Sequence, residues 1–308
     1  MGKILVIRGG AIGDFILTLP AISLLRDGLP DARVDILGYK PVIDLAARAG
    51  LADGGRCIEH GSLAGFFAPG SELDQQWCEY FSSFDLIISY LHDPNGFFRQ
   101  NLKRAGAREL LEGISRVDVS SGVHAARQLA KVLENIALFL EDPAPSVCLS
   151  DQGNVTSENC VAIHPGSGGV VKNWRLEDWI RLGEEMAGHD SNPALLLITG
   201  EAEEGKHEEV REALIAAGVV FENAHNWPLT KLGQALAKCR LFLGHDSGIS
   251  HLAAATGIPC FLLFGPTDPA IWAPANEQVE VLRSKTGRMS DIAYRDVSKR
   301  AIDLLSCL

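Results

Sequence analysis

No stretch of this 308-residue chain approaches the roughly 18 consecutive apolar residues needed to cross a bilayer, so no transmembrane segment is expected. The opening MGKILVIRGG carries an apolar run too short for a signal sequence and broken at once by glycines; it is read as a first strand. Seven cysteines are scattered without a C-x-x-C pair, which disfavours both a disulfide framework and a zinc site and points to reduced thiols. There is no H-E-x-x-H and no pair of aspartates two residues apart. One common way of holding a divalent cation against a diphosphate is therefore missing. Also missing are the P-loop spacing, a G-x-S-x-G elbow and any repeat or low-complexity tract. Positive charge is in short supply. A net charge of −11 disfavours nucleic acid as the main ligand, though it leaves room for local basic pockets.

What is present is an alternation of short apolar runs with amphipathic stretches, the pattern of α/β parallel sheets. Strands are expected at Lys3–Arg8, Arg33–Leu37 and Phe84–Ser89. Helices are expected from the first loop to about Arg26 (starting or kinking at Pro20), at Pro41–Ala49, Ser71–Phe81 and up to Arg104, with a long one at His124–Leu140. From Glu141 to Asn159 the composition turns to Pro, Ser and Asp, as in an interdomain linker. The alternation then restarts, with strands at Val161–His164, Ala194–Thr199, Val219–Phe221, Arg240–Gly244, Cys260–Phe264 and Val279–Leu282, and helices at Glu177–Ala187, Glu203–Ala217, Thr230–Lys238, Ile249–Thr256 and Asp296–Leu305. Two domains follow, 1–145 and 146–308.

Loops at the carboxyl ends of strands are where open α/β sheets bind ligands. The first is Gly9-Gly10-Ala11-Ile12-Gly13-Asp14. It is not G-x-G-x-x-G, and no acid closes the second strand, so a dinucleotide site is disfavoured. Asp14 reads either as a helix cap or as a general base. The second loop, His164-Pro165-Gly166-Ser167-Gly168-Gly169 with Lys172 behind it, is either a phosphate cradle or an ordinary glycine turn. In the third, after Thr199, an acid could hold ribose hydroxyls or simply complement a helix dipole. The fourth, His245-Asp246-Ser247-Gly248, opens a short helix capped by Asp246 or Ser247, whose free N–H groups suit an anion. His164 and His251 each read as a structural histidine or as a base.

Gly13-Asp14-x-x-Leu17-Thr18-x-Pro20, His164-Pro165-Gly166-Ser167-Gly168 with Lys172-x-Trp174, Asp246-Ser247-Gly248-x-x-His251-Leu252-Ala253 and Phe264-Gly265-Pro266-Thr267-Asp268-Pro269 together resemble glycosyltransferase family 9, the ADP-heptose:lipopolysaccharide heptosyltransferases. The resemblance implies a GT-B fold: two Rossmann-like parallel-sheet domains facing across a cleft, with the last helix able to cross back to the N-terminal domain. It implies an inverting transferase without metal or cofactor, moving heptose or a related sugar from an ADP-linked donor to a lipopolysaccharide-core or other lipid-linked glycan. Its implied location is the cytoplasm, at the inner face of the cytoplasmic membrane. Asp14 becomes the general base. Ser167, Gly168, Gly169, Lys172, Asp246, Ser247 and Gly248 become the donor-diphosphate set. Glu203, with Glu201 competing, takes the ribose, and Pro228, Leu229 and Thr230 line the base. Gly13, Arg56, Arg99, Lys103 and Arg104 are the acceptor candidates. Two other readings stay open: a nucleotide-sugar epimerase or hydrolase on the same scaffold, and a non-catalytic nucleotide-sugar-binding protein.

Overall fold

The computed structural model describes residues 2–149, 159–200 and 207–307. The chain divides into two compact units, Met1–Pro143 and Ala144–Leu308.

In the first unit the elements run β1 (Lys3–Ile7), α1 (Ile12–Ile16), α2 (Leu19–Gly28), β2 (Arg33–Gly38), α3 (Lys40–Arg48), β3 (Gly54–Cys57), α4 (Gln75–Ser82), β4 (Leu86–Ser89), α5 (Phe97–Arg104), β5 (Leu110–Glu112) and α6 (Ala125–Ala130). The strands form one parallel sheet in the order β3-β2-β1-β4-β5. The central strand β1 is buried from Ile4 onward, as a strand covered on both faces must be. Pro20 sits in the first turn of α2, where its missing N–H costs nothing. β3 has no apolar signature because it is a glycine strand: a Cβ at Gly55 would lie 2.3 Å from the Ile36 carbonyl oxygen. α4 starts four residues later than expected, where the Asp74 carboxylate accepts the Trp77 N–H at 3.1 Å. The long helix expected over 124–140 is α6 followed by a 3-10 segment, Lys131–Ile136, that stops at Ala137 with φ 59°. Of the apolar residues expected on one face of that helix, Leu129, Val132 and Leu133 are buried, whereas Ile136 and Leu140 are buried only in part.

The second unit runs β6 (Cys160–Ile163), α7 (Leu176–Ala187), β7 (Ala194–Thr199), α8 (His207–Ala216), β8 (Phe221–His225), α9 (Leu229–Leu236), β9 (Leu241–His245), α10 (Gly248–Ala255), β10 (Cys260–Phe264), α11 (Pro269–Trp272), β11 (Val279–Arg283) and α12 (Tyr294–Cys307). Its parallel sheet has the order β11-β10-β9-β6-β7-β8. β8 shares only Phe221 with the expected Val219–Phe221: Val220 is 82% exposed, and the edge strand continues through the polar run that follows. Part of the supposed linker is built into this unit. The Val147 N–H donates to the Ala255 carbonyl at 2.8 Å, and the Asn276 amide donates to the Pro145 carbonyl at 3.0 Å. The last helix, α12, shares the hydrophobic core of the second unit through Val297, Ala301 and Leu305, and Ser298 donates to Glu185 of α7.

Each sheet grows outward from its first strand in two directions. The reversal falls between β1 and β4 in one unit and between β6 and β9 in the other. At such a reversal the connections leave for opposite sides and open a crevice at the strands' carboxyl ends.

Candidate active site

At the reversal of the first sheet, Asp14 is not in the loop but in the first turn of α1. There its Oδ2 accepts the Ala11 N–H at 3.1 Å. Ala11 has no side chain that could cap the helix, so Asp14 reaches back to the helix start. Gly10 makes room for this. Its φ is +98°, and a Cβ there would stand 2.8 Å from Asp14 Oδ2. On the other side Arg8 Nη2 lies 3.4 Å from Asp14 Oδ1. The two exposures differ sharply: 5% for the Arg8 side chain and 38% for that of Asp14. Burial pushes the Arg8 guanidinium below its usual value, against the pull of Asp14 and Tyr90. The guanidinium lies over the Tyr90 ring, 5.6 Å from its centroid, and Tyr90 in turn donates to the Leu129 carbonyl.

The acceptor candidates are partly engaged elsewhere. Arg56 stacks on Tyr80 and Trp77, Arg99 pairs with Glu112, and Arg104 bonds Asn101 and the Ser71 carbonyl. Lys103 is exposed on α5, and Gly13 is in α1.

In the second unit, three loops meet on one carboxylate. Asp246 Oδ2 accepts Lys172 Nζ at 2.7 Å and the Thr267 hydroxyl at 2.8 Å. Here the exposed partner is the cation: the Lys172 side chain is 32% exposed and that of Asp246 9%. Asp246 therefore does not cap α10. Ser247 does, its Oγ accepting the Ser250 N–H at 3.2 Å. The first N–H groups of α10, beginning at Gly248, have no intrahelical acceptor by helix geometry. Ser167 is buried, and its hydroxyl bonds Asn173 at 2.6 Å and the Gly169 carbonyl at 3.0 Å. It shapes the loop while Gly168 is exposed.

Beneath this floor is His245, which closes β9. Its Nε2 accepts the Trp174 backbone N–H at 2.8 Å and the Trp179 indole N–H at 3.1 Å, and its Nδ1 faces the Gly166 carbonyl. Two donors on Nε2 define a neutral ring with its proton on Nδ1. Burial, helped by nearby His164, lowers its pKa to about 3. His164, buried, has Nδ1 3.0 Å from the Ile198 carbonyl, and His251 is buried in α10.

Glu201 and Glu203 lie outside the described residues. Pro228 is exposed, Thr230 half-buried and Leu229 buried. Just before them Trp227 carries Lys231 3.4 Å above its ring centroid. Among the described residues no group of three His, Cys, Asp or Glu side chains is placed to hold a metal ion, and no helix is long and apolar enough to cross a membrane.

Sequence reading gave no role of their own to Arg8, Tyr90, His245 or Thr267, though the last two stand in loops it named. Arg8 had a visible signal, since it ends an otherwise apolar strand at the loop of interest. His245 had none, because its partners are over 60 residues away in the chain.

Two doubly wound parallel sheets, each with its polar, glycine-bearing loops at the reversal, make a GT-B glycosyltransferase fold. Comparison with known proteins narrows this class. The model of "Glycosyltransferase family 9 (heptosyltransferase)" matches residues 123–302. The lipopolysaccharide heptosyltransferase 3 of Escherichia coli is 24% identical over 95% of this chain and 92% of its own. Among solved structures, E. coli ADP-heptose lps heptosyltransferase II superposes with a TM-score of 0.79 at 18% identity, covering 99% of each chain. A heptosyltransferase of E. coli solved with ADP gives 0.74 at 17% identity, covering 98% of this chain and 99% of its own. The chain belongs to glycosyltransferase family 9 and is a glycosyltransferase.

Proposed function

We propose that this enzyme transfers a heptose, with inversion and without a metal ion, from ADP-heptose to a lipopolysaccharide-core acceptor at the inner face of the cytoplasmic membrane. The names of its relatives support the donor and acceptor classes. The observation that carries the chemistry is the half-exposed Asp14 carboxylate at the reversal of the first sheet. The acceptor oxygen attacks the anomeric carbon as its proton passes to Asp14. The bond from that carbon to the diphosphate oxygen breaks, and ADP leaves with the electron pair. One displacement inverts the centre. Lys172 and the first N–H groups of α10 receive the charge that builds on the diphosphate, with the Ser167–Gly169 backbone beside them. Ser247 starts that helix, and Asp246 holds Lys172. Glu203 or Glu201 takes the ribose hydroxyls, and Pro228–Thr230 flank the base. Gly13, Arg56, Arg99, Lys103 and Arg104 are the residues offered to the acceptor.

The test is release of ADP from ADP-heptose with a heptose-deficient lipopolysaccharide acceptor, with and without EDTA. Acceptor-dependent release that survives EDTA is expected. Donor consumption without acceptor would instead indicate the hydrolase or epimerase reading. Binding without turnover would indicate a non-catalytic protein, and loss of activity in EDTA would overturn metal independence.

A further inference from the structure

We infer that Arg8 is a positioning residue for Asp14, holding the carboxylate that takes the acceptor proton in one orientation; this rests on the general-base reading of Asp14. Burying a guanidinium is costly unless it is well paired. Arg8 is poorly paired. Its side chain is 5% exposed, its Nε has no hydrogen-bond partner, and its ion pair with Asp14 is long at 3.4 Å. A group kept purely for stability would be better served by an apolar side chain of similar length, since replacing buried ion pairs with packed apolar groups is often neutral or stabilising.

The geometry explains what the cation does. Asp14 Oδ2 is held by the Ala11 N–H, and Oδ1 faces Arg8 Nη2. Oδ2 alone would leave the carboxylate free to swing about one hydrogen bond. The Tyr90 ring lies beside the guanidinium and is itself anchored to the Leu129 carbonyl at 3.1 Å. The carboxylate is therefore fixed from two sides while 38% of the side chain stays open to a reactant. A base misplaced by about an ångström can lose on the order of 10² in rate.

The experiment compares wild type, Arg8→Met, Arg8→Lys, Asp14→Asn and the Arg8→Met/Asp14→Asn double variant in full-length enzyme. Turnover, KM for donor and acceptor, and melting are measured for each. Arg8→Met should lower kcat about 10- to 100-fold, with both KM values and the melting temperature close to wild type. Arg8→Lys should recover part of kcat, because it keeps the charge but not the planar fork. If Arg8 works through Asp14, Arg8→Met should add nothing in the Asp14→Asn background. Equal losses in both backgrounds would overturn the inference, as would an unchanged kcat in Arg8→Met or a loss explained wholly by melting. Should Arg8→Met fail to fold, wild-type turnover in Arg8→Lys at normal melting would overturn it instead, and a partial loss of kcat at unchanged KM would support it. Near-normal turnover in Asp14→Asn is a separate result that removes the general-base reading itself.

Discussion

The reversal points of the two sheets carry the same device with the charges exchanged. In the first unit a buried cation, Arg8, backs a half-exposed anion, Asp14; in the second a buried anion, Asp246, backs a partly exposed cation, Lys172. In each pair the buried member restrains the outer one, and the sign of the outer member fits the partner proposed for it. A carboxylate suits a proton to be removed, and an ammonium suits a diphosphate. The pairs differ in tightness. Lys172 sits 2.7 Å from Asp246, which also holds Thr267, whereas Arg8 stands 3.4 Å from Asp14. The second site is cross-braced by three loops of one sheet, the first by a single turn of helix and an aromatic ring.

The largest expected effect breaks the first pair at its outer member. Asp14→Asn keeps the size and most of the capping capacity, and should lower kcat by roughly 10²–10⁴ with nucleotide affinity little changed and melting lowered only as far as the loss of Arg8's ion pair requires. Acceptor-dependent transfer measured beside ADP binding checks this; near-normal turnover would reduce Asp14 to a helix cap.

Breaking the second pair at its outer member should act on binding. Lys172→Ala is expected to weaken ADP by about one to two decades, the worth of a charge-assisted contact of roughly 1.5–3 kcal/mol. The variant also leaves the Asp246 charge facing the diphosphate. Lys172→Ala/Asp246→Asn should therefore bind ADP more tightly than Lys172→Ala alone. Unchanged affinity in Lys172→Ala by calorimetry would show that Lys172 does not meet the phosphates.

Beneath the second pair, His245 makes stability depend on pH. Folded, it titrates near 3; unfolded, at the ordinary value of 6.5. Between those values the unfolded chain binds the extra proton. The contribution is thus complete above 6.5 and is lost progressively as pH falls toward 3. For this one group the loss between pH 7 and pH 5 is about 2 kcal/mol. Melting curves of wild type and His245→Gln across that range should show a shallower slope in the variant; parallel slopes would mean that the ring protonates in place.

The smallest effect is expected from removing the first pair altogether. A fragment of residues 144–308 should bind ADP within about threefold of the full chain, a change of under about 1 kcal/mol. It begins at Ala144 because Pro145 and Val147 are hydrogen-bonded into the second unit. A folded fragment without ADP affinity would place donor binding outside this unit.

Most of the architecture was legible because buried parallel strands are continuous apolar runs: β1, β6, β7, β9 and β10 are hydrophobic almost throughout. Of the edge strands, β11 was legible too, β8 was expected two residues early, and β3 and β5 were missed. β3 is Gly-Gly-Arg-Cys and β8 is Phe-Glu-Asn-Ala-His, and a strand covered on one side has no need of an apolar run. Their existence depends on a neighbouring strand offering its hydrogen bonds, which local sequence does not record.

The same division holds at the site. Local patterning determined the two α/β domains, the loops at strand ends, and Asp14, Lys172 and Asp246 as residues of interest, because strand periodicity and glycine placement are short-range properties. Only the tertiary structure decided what those residues do to one another. Asp246 is 74 residues from Lys172 and gives its carboxylate to that lysine, while Ser247, the other cap candidate, caps the helix. Arg8, beside Asp14, is also covered by the Tyr90 ring, which follows β4 and is brought alongside the end of β1 by the sheet. Burial and charge pairing are set by neighbours remote in sequence, and they turn a plain strand-ending arginine into part of a candidate active site.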